Sequence, residues 1–273
     1  MRVGLACLAL LLVAGCGVAS TPPAEPPAGT PAAAPGSGDG GYAHSPPPHQ
    51  ESRPEAGPRD IRCARIRCVA LTFDDGPGSY TPRVLDLLAR HRARATFFLV
   101  GEMIDKTDWP VLRRMAAEGH ELGNHTWDHH DLTSLGDAAL RREIVRTQRL
   151  VREVTGVRMR GMRPPYGATD GRVAREARRL GLGQVLWAID TLDWRDRVPK
   201  LVVRRSTAAK PGEIVLMHDI HKTTVDALPR LLDVFDKKGF TYVTVSELFG
   251  DLKPGKRYSE RKPRTEGKRD SRR

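Results

Sequence analysis

Apolar residues follow two alternating spacings between residues 61 and 252 of the 273-residue chain. Short runs rich in β-branched and aromatic residues predict strands, and stretches with apolar residues at helical spacing predict helices. The predicted strands are 68–73, 95–100, 120–124, 160–163, 184–189, 213–217 and 241–245. The predicted helices are 81–91, 108–118, 137–154, 171–180, 199–209 and 223–238. This alternation predicts one α/β domain, folded as a distorted (β/α) barrel of about seven parallel strands.

Polar residues end or closely follow most of these predicted strands. The C-terminal ends of parallel strands meet at one face of a barrel, so side chains there are expected to lie close together. The residues at these positions are Asp74-Asp75, Asn124-His125, Arg163, Asp190, Asp193 and His218-Asp219. We therefore predict an active site at that face.

The adjacent carboxylates Asp74 and Asp75 and the histidines His125 and His129 could together hold a metal ion. Neighbouring side chains of an extended segment point in opposite directions, so one carboxylate can bind a metal while the other faces a water molecule. The two histidines begin and end the segment HTWDH, and one helical turn or a tight loop would place both imidazoles on the same side. With Asp75 they make a set that suits zinc and leaves a position open for water. The alternative for an aspartate before Gly76 is a helix cap or an Asx-turn.

Arg163 and His218 are candidates for the remaining chemistry. Arg163 lies in RPPYG, where two prolines stiffen the segment, and pairing with Asp74 would keep that carboxylate ionised and oriented as a base. His218 could donate a proton to a leaving amine, and a contact with Asp193 would raise its pKa. The alternatives are a surface salt bridge for Arg163 and a buried, backbone-bonded histidine for His218.

Five segments in one order, TFDDGP, HTWDH, RPPYG, DTLDW and LMH, resemble the polysaccharide deacetylases of carbohydrate esterase family four, the NodB-homology domain. The resemblance covers residues 68–245 and implies a NodB-type (β/α) barrel. It also implies a bound Zn²⁺, or another divalent transition metal, on Asp75, His125 and His129.

The resemblance assigns roles to the other residues of these segments. It implies that Asp74 is the base, that Arg163 is its partner, and that His218 is the general acid tuned by Asp193. It implies further that the backbone N–H of Tyr166 binds the oxyanion. The residues implied to line a pocket for the acetyl methyl group are Trp194 and Leu216.

Residues 1–15 have the pattern of an export signal. Arg2 is followed by an apolar run at 3–15 that is too short to span a bilayer comfortably. The small residues before Cys16 resemble the bacterial lipobox, so we expect lipid on Cys16 and an extracytoplasmic protein anchored to the cell membrane. An ordinary signal peptide cut nearby is the alternative. Residues 16–60 are rich in Pro, Ala and Gly and are predicted to form a disordered tether. Residues 61–252 are predicted to form the catalytic domain.

Residues 253–273 are dense in Lys and Arg and are predicted to be a disordered basic tail. The formal net charge of +12 could suggest nucleic acid as a partner. Export argues against that partner, and anionic wall polymers or phospholipid satisfy the same electrostatics. The pair Cys63 and Cys68 predicts a disulfide in an exported chain, with two reduced cysteines as the alternative.

The implied reaction is the hydrolysis of N-acetyl groups on amino sugars of an extracellular polysaccharide. A tethered protein facing the wall favours peptidoglycan, and chitooligosaccharides remain open as substrates. A monomer is expected. The alternatives are an O-deacetylase acting on acetylated xylan and an inactive wall-binding protein that works through its basic tail. An iron oxygenase would also use two histidines and a carboxylate, but such enzymes usually need a cytosolic cosubstrate.

Overall fold

The computed structural model describes residues 59–262. Its strands are β1 (Cys68–Asp74), β2 (Thr96–Leu99), β3 (Glu121–Asn124), β4 (Gly161–Met162), β5 (Gly183–Val185), β6 (Ile189–Asp190), β7 (Ile214–His218), β8 (Thr241–Tyr242) and β9 (Arg257–Tyr258). Its α-helices are α1 (Thr81–Arg90), α2 (Trp109–Ala117), α3 (Asp137–Thr155), α4 (Gly171–Arg179), α5 (Asp193–Asp196), α6 (Pro199–Ser206), α7 (Lys222–Lys237) and α8 (Val245–Phe249). The six predicted helices are all present, each with ends within one turn of the prediction.

The strands form one curled parallel sheet within residues 59–262. Its order is β6-β7-β1-β2-β3-β4-β5-β9, and β8 pairs with the first residues of β1. All residues of β1 are buried, as expected for a strand covered on both faces in a parallel sheet. The predicted distorted (β/α) barrel is confirmed.

The predicted strand 184–189 is wrong in one respect, because it is two strands. β5 pairs with β4 and β9, whereas β6 pairs with β7 at the other end of the sheet. Residues 186–188 alone join β5 to β6, so the chain must leave one sheet end and join the other within this short link. The two ends of the sheet therefore lie close together, which gives the sheet its barrel shape.

The predicted disordered tail at 253–273 is wrong for its first part. β9 pairs with β5, and beyond it the backbone of Arg261 donates to Gly212 O, just before β7. Tyr258 is buried in the core. The segment thus fills the gap between the sheet ends, and its apolar Tyr258 explains why it folds despite its basic composition. The domain also begins before residue 61, since Arg59 donates to Tyr242 O and to Glu247.

Buried apolar side chains fix the strands by packing helices on the outside of the sheet. The largest cluster joins β1 and β2 to α1, α2 and α7, with members that include Phe73, Phe97, Leu85, Leu88, Leu112, Met115, Leu231 and Phe235. Each helix in this cluster has an apolar stripe that faces the sheet. In the part of the chain from 59 to 262, no helix has the length and apolar character needed to cross a membrane.

Cys63 and Cys68 form a disulfide at the start of β1, as predicted from the pairing of cysteines. The signal at 1–15, the lipidation site Cys16, residues 16–58 of the tether and residues 263–273 of the tail lie outside the described residues.

Candidate active site

The predicted site residues converge at the C-terminal ends of the strands. Asp74 ends β1 and stands in register with His218, which ends β7. Asn124 ends β3 and stands in register with Met162 of β4, so His125 and Arg163 follow at the same level. Asp193, the predicted partner of His218, begins α5 just after β6.

Asp75, His125 and His129 could hold a metal ion. Asp75 Oδ1 lies 3.5 Å from His125 Nε2 and 3.4 Å from His129 Nε2, and the three ligand atoms all lie within 4.8 Å of one another. Zinc bonds of about 2.0–2.2 Å at tetrahedral angles separate ligand atoms by roughly 3.3–3.6 Å. Asp75 Oδ1 is buried and has no hydrogen-bond partner, so a cation would satisfy it. The donor set and its spacing therefore fit a divalent metal.

His125 is prepared for metal binding by its contact with Arg163. Its Nδ1 lies 2.6 Å from the Arg163 carbonyl oxygen, which can only accept, so Nδ1 carries the proton and Nε2 presents its lone pair. Burial lowers the pKa of His125 to about 3, although the charge of Asp75 acts in the opposite direction. The imidazole is therefore neutral at physiological pH.

Three residues of the site have left-handed backbone conformations. The φ angles are 69° at Asp75, 62° at His129 and 60° at Tyr166. Each such non-glycine residue costs roughly 1–3 kcal/mol and persists only where the surrounding structure enforces it. The HTWDH segment is accordingly a tight loop rather than a helical turn, and His129 N–H donates to Thr126 Oγ1 to hold it.

Arg163 is fully buried and binds Asp74 as predicted. Its Nη1 lies 2.7 Å from Asp74 Oδ1 and 2.9 Å from Thr72 Oγ1. Its Nε and Nη2 donate to the carbonyls of Val185 and Leu186. Burial raises the pKa of Asp74, and the charge and hydrogen bond of Arg163 offset only part of that rise. The surface salt bridge considered as an alternative is therefore excluded, and Asp74 is a stronger base than a solvated aspartate.

Asp193 holds His218 in place. Its Oδ1 lies 2.8 Å from His218 Nδ1, and its Oδ2 accepts from the His218 backbone N–H and from Thr224 Oγ1. Burial lowers the pKa of His218, but the hydrogen bond and charge of Asp193, followed by the charges of Asp74 and Asp75, raise it to about 9. His218 therefore carries a proton that it can donate, with Nε2 3.9 Å from Asp75 Oδ2.

Two aromatic side chains near this site are exposed. Tyr166 is 71% exposed, and its ring centroid lies 4.8 Å from that of His129. Trp194 is 47% exposed and follows Asp193 directly. Leu216 is buried in β7, two residues before His218 and thus on the same side of the strand. The sequence-predicted residues are all placed at or next to the site.

Several supporting residues escaped sequence reasoning. Thr72 and Thr224 bind Arg163 and Asp193, respectively, and Thr126 holds the loop of His129. His221, whose ring centroid lies 5.7 Å from that of His218, is the fourth. A lone threonine inside a strand or helix carries no signal of such a contact. His221 did offer a sequence signal, because it lies three residues after His218 in the segment HDIH.

A family model described as polysaccharide deacetylase matches residues 62–185. The chain is 43% identical over 196 residues to the peptidoglycan-N-acetylglucosamine deacetylase PgdA of Listeria monocytogenes serotype 1/2a, strain 10403S, an alignment that covers 71% of this chain and 41% of the relative. It is 38% identical over 191 residues to a chitooligosaccharide deacetylase of Bradyrhizobium sp. strain ANU 289, covering 64% of this chain and 87% of the relative.

The chain belongs to the polysaccharide deacetylase family. A solved structure of a deacetylase designated T48, with substrate, superposes on this deacetylase domain with a TM-score of 0.70 at 44% identity, covering 73% of this chain and 100% of the other. The match thus extends over the whole length of that solved chain. It spans less than half the length of the Listeria relative.

Proposed function

We propose that this protein is a metal-dependent hydrolase that removes N-acetyl groups from amino-sugar residues of an extracellular polysaccharide, with peptidoglycan as its main substrate. One arrangement carries the proposal. Two further residues lie beside the metal set of Asp75, His125 and His129. The Arg163-paired Asp74 lies 3.5 Å from His125, and the Asp193-paired His218 lies 3.9 Å from Asp75.

Each of these residues has a defined duty in the proposed reaction. Zn²⁺, or another divalent transition metal bound by Asp75, His125 and His129, would polarise the acetamide carbonyl and lower the pKa of its water. Asp74 takes a proton from the attacking water, because Arg163 orients it and burial makes it a stronger base. The backbone N–H of Tyr166 donates to the developing oxyanion.

His218 protonates the leaving nitrogen in this proposal. An amine leaves poorly without a proton, whereas an alkoxide or alcohol leaves more readily. The proposed acid His218 is held by Asp193 through both its ring and its backbone N–H, and this arrangement favours N-deacetylation over the O-deacetylation of acetylated xylan. It also argues against an inactive wall-binding protein, because a binding surface has no use for a buried, oriented acid.

The exposed aromatic rings of Tyr166 and Trp194 support a glycan as substrate. Large apolar side chains exposed beside a polar site commonly mark a binding surface. Here Tyr166 contacts the metal ligand His129, and Trp194 follows Asp193 directly. The Listeria relative is named for peptidoglycan N-acetylglucosamine and the Bradyrhizobium relative for chitooligosaccharide. Peptidoglycan is proposed first for this chain, because its N-terminal sequence favours a position at the cell wall.

The proposed location is the outer face of the cell membrane, with lipid on Cys16. The basic residue, the short apolar run and the small residues before that cysteine support it. The protein is proposed to act as a monomer. Replacing Cys16 with Ala should release the protein from the membrane fraction, and unchanged fractionation would contradict the anchor without affecting the proposed activity.

Mass spectrometry of acetate loss tests the activity. The purified protein, loaded with Zn²⁺, should remove acetyl groups from muropeptides and from chitooligosaccharides. The mass of the glycan should fall by about 42 Da for each acetyl group that is replaced by hydrogen. The chelated protein and the Asp75→Ala variant should not. Loss of acetyl groups from acetylated xylan alone would replace the proposal with O-deacetylation. No acetate from any glycan, with metal bound and the fold intact, would overturn it.

A further inference from the structure

Arg197 is an exposed arginine held beside the proposed acid. Its Nε donates to the carbonyl of Trp194 at 2.7 Å, and its Nη1 lies 2.8 Å from His221 Nδ1. The ring centroid of His221 lies 5.7 Å from that of His218. The guanidinium therefore contacts His221, which in turn contacts the proposed acid His218, and it is also bound to the backbone of Trp194.

The backbone around Arg197 is shaped to place it there. Leu192 and Arg197, the residues that flank α5, both have φ of 53°. A left-handed backbone conformation is strained for any residue other than glycine, and it persists where the surrounding contacts enforce it. The two bends turn Asp193 inward to His218 and leave Trp194 and Arg197 exposed at the surface.

Arg197 carries a charge with no internal partner. Among residues 59–262, it forms no ion pair with a carboxylate, whereas its neighbour Arg195 pairs with Asp196 at 2.8 Å. Its two hydrogen bonds go to neutral acceptors, since burial and the charge of Arg197 lower the pKa of His221. A guanidinium has five N–H donors, so several of them remain for a ligand.

Helix α6, which begins two residues after Arg197, adds positive charge. A cavity of about 490 Å³ opens between α6 and α7, with Lys200, Arg204 and Arg230 at its rim. Its one carboxylate, Asp226, already binds Lys222. Lys200 and Arg204 therefore follow Arg197 in the chain as two further cations, and neither forms an ion pair among residues 59–262.

We propose that Arg197 is a specificity-determining residue that binds a carboxylate on the glycan close to the acetamide being cleaved. The protein would then prefer N-acetylated glycans that carry carboxylates, such as peptide-substituted glycan strands, over neutral chitooligosaccharides. This inference rests on the proposed function and narrows its substrate class. An arginine fork suits this role, because it binds carboxylate in a fixed, bidentate geometry.

Kinetics with matched substrates test the preference. The substrates are soluble glycan strands with free peptide carboxylates, the same strands after amidation of those carboxylates, and chitohexaose. Arg197→Gln should raise KM on the carboxylate-bearing strands about tenfold and leave chitohexaose within about twofold. Arg197→Lys should keep part of the preference, because it retains charge without the fork. Arg195→Gln, which removes a nearby arginine already paired with Asp196, is the control and should change neither KM.

Binding of the same strands separates this inference from the proposed activity. Calorimetry in an Asp74→Asn background measures affinity without turnover, with Arg197→Gln and Arg195→Gln compared in that background. Weaker binding of carboxylate-bearing strands in the Arg197→Gln protein alone supports the inference, even if no glycan is deacetylated. Equal losses on charged and neutral strands, or no loss on either, would overturn it. A wild-type preference that survives amidation would overturn it as well. Equal thermal unfolding temperatures show that the variants are folded.

Discussion

Arg163 Nη1 and Asp74 Oδ1 lie 2.7 Å apart, and both side chains are shielded from solvent. A buried ion pair is expensive to break, because the remaining charge has no water to solvate it. The pair therefore couples the chemistry of the proposed base to the stability of the barrel.

Arg163→Gln should shift the acid limb of the pH–rate profile upward. Without the guanidinium, burial would raise the pKa of Asp74 further, so the base would ionise only at higher pH. We expect kcat at pH 7 to fall about 100-fold. Arg160→Gln, which removes an exposed pair with Asp251, is the control. An acid limb that stays in place would show that Asp74 is not the titrating base.

His129→Ala should lower metal affinity, and the adjacent His130→Ala should not. His129 Nε2 faces Asp75 Oδ1 at 3.4 Å, whereas His130 is exposed and binds Asp128. Loss of one of three protein ligands should weaken Zn²⁺ binding at least about 100-fold. Metal content after dialysis against a competing chelator measures the difference. Equal metal retention by the two variants would contradict the proposed ligand set.

The coupling between Asp193 and His218 should depend on pH in the metal-free protein. The folded-state pKa of His218 is raised to about 9, and that of Asp193 is lowered against the opposing effect of burial. The stabilisation is therefore fully present between the unfolded pKa values of about 3.9 for Asp and 6.5 for His. It is lost as the pH rises through 9, and at the acid end as the pH falls through the folded pKa of Asp193.

A double-mutant cycle with Asp193→Asn and His218→Asn measures that coupling. Urea unfolding should give a coupling free energy of about 2–3 kcal/mol at pH 6 that fades above pH 9. A coupling that is the same at pH 6 and pH 10 would mean that the contact is a neutral hydrogen bond.

The disulfide between Cys63 and Cys68 should affect stability without affecting catalysis. It closes a loop with a sequence separation of 5, for which loop-closure entropy gives about 2 kcal/mol. Cys68 begins β1 and Asp74 ends it, so the bond lies about 20 Å from the site. The double Cys→Ser variant should unfold at lower urea concentration while kcat stays within about twofold of the parent. A large loss of kcat in the folded variant would contradict this separation.

A chain that ends after Lys262 should be stable, and one that ends after Leu252 should not. The shorter chain loses β9 and the buried Tyr258, whose ring packs against Phe249. Removal of a buried aromatic side chain costs about 3–5 kcal/mol, and the edge of β5 would be open to pairing with other chains. Thermal unfolding and light scattering of the two chains measure both effects, and equal stability would contradict them.

Sequence reasoning succeeded where a local pattern determines the structure. Helical periodicity located α1 to α4, α6 and α7, and the polar residues after each strand located the site because parallel strands share one C-terminal edge. It failed at β9, because a two-residue strand in a basic segment has no period to detect. It also missed Thr224 and Arg197, since their contacts are made by tertiary packing and by left-handed turns that no motif encodes.

Arg59 and Arg261, near the two ends of the described chain, both bind α8. Arg59 pairs with Glu247, and Arg261 Nη1 donates to the carbonyl of Leu248. α8 follows β8, which pairs with the start of β1, so both ends leave the domain opposite the catalytic face. A bead or a label attached at residue 59 or residue 262 would consequently lie away from Asp74 and His218, so the domain could be immobilised there without covering the candidate active site.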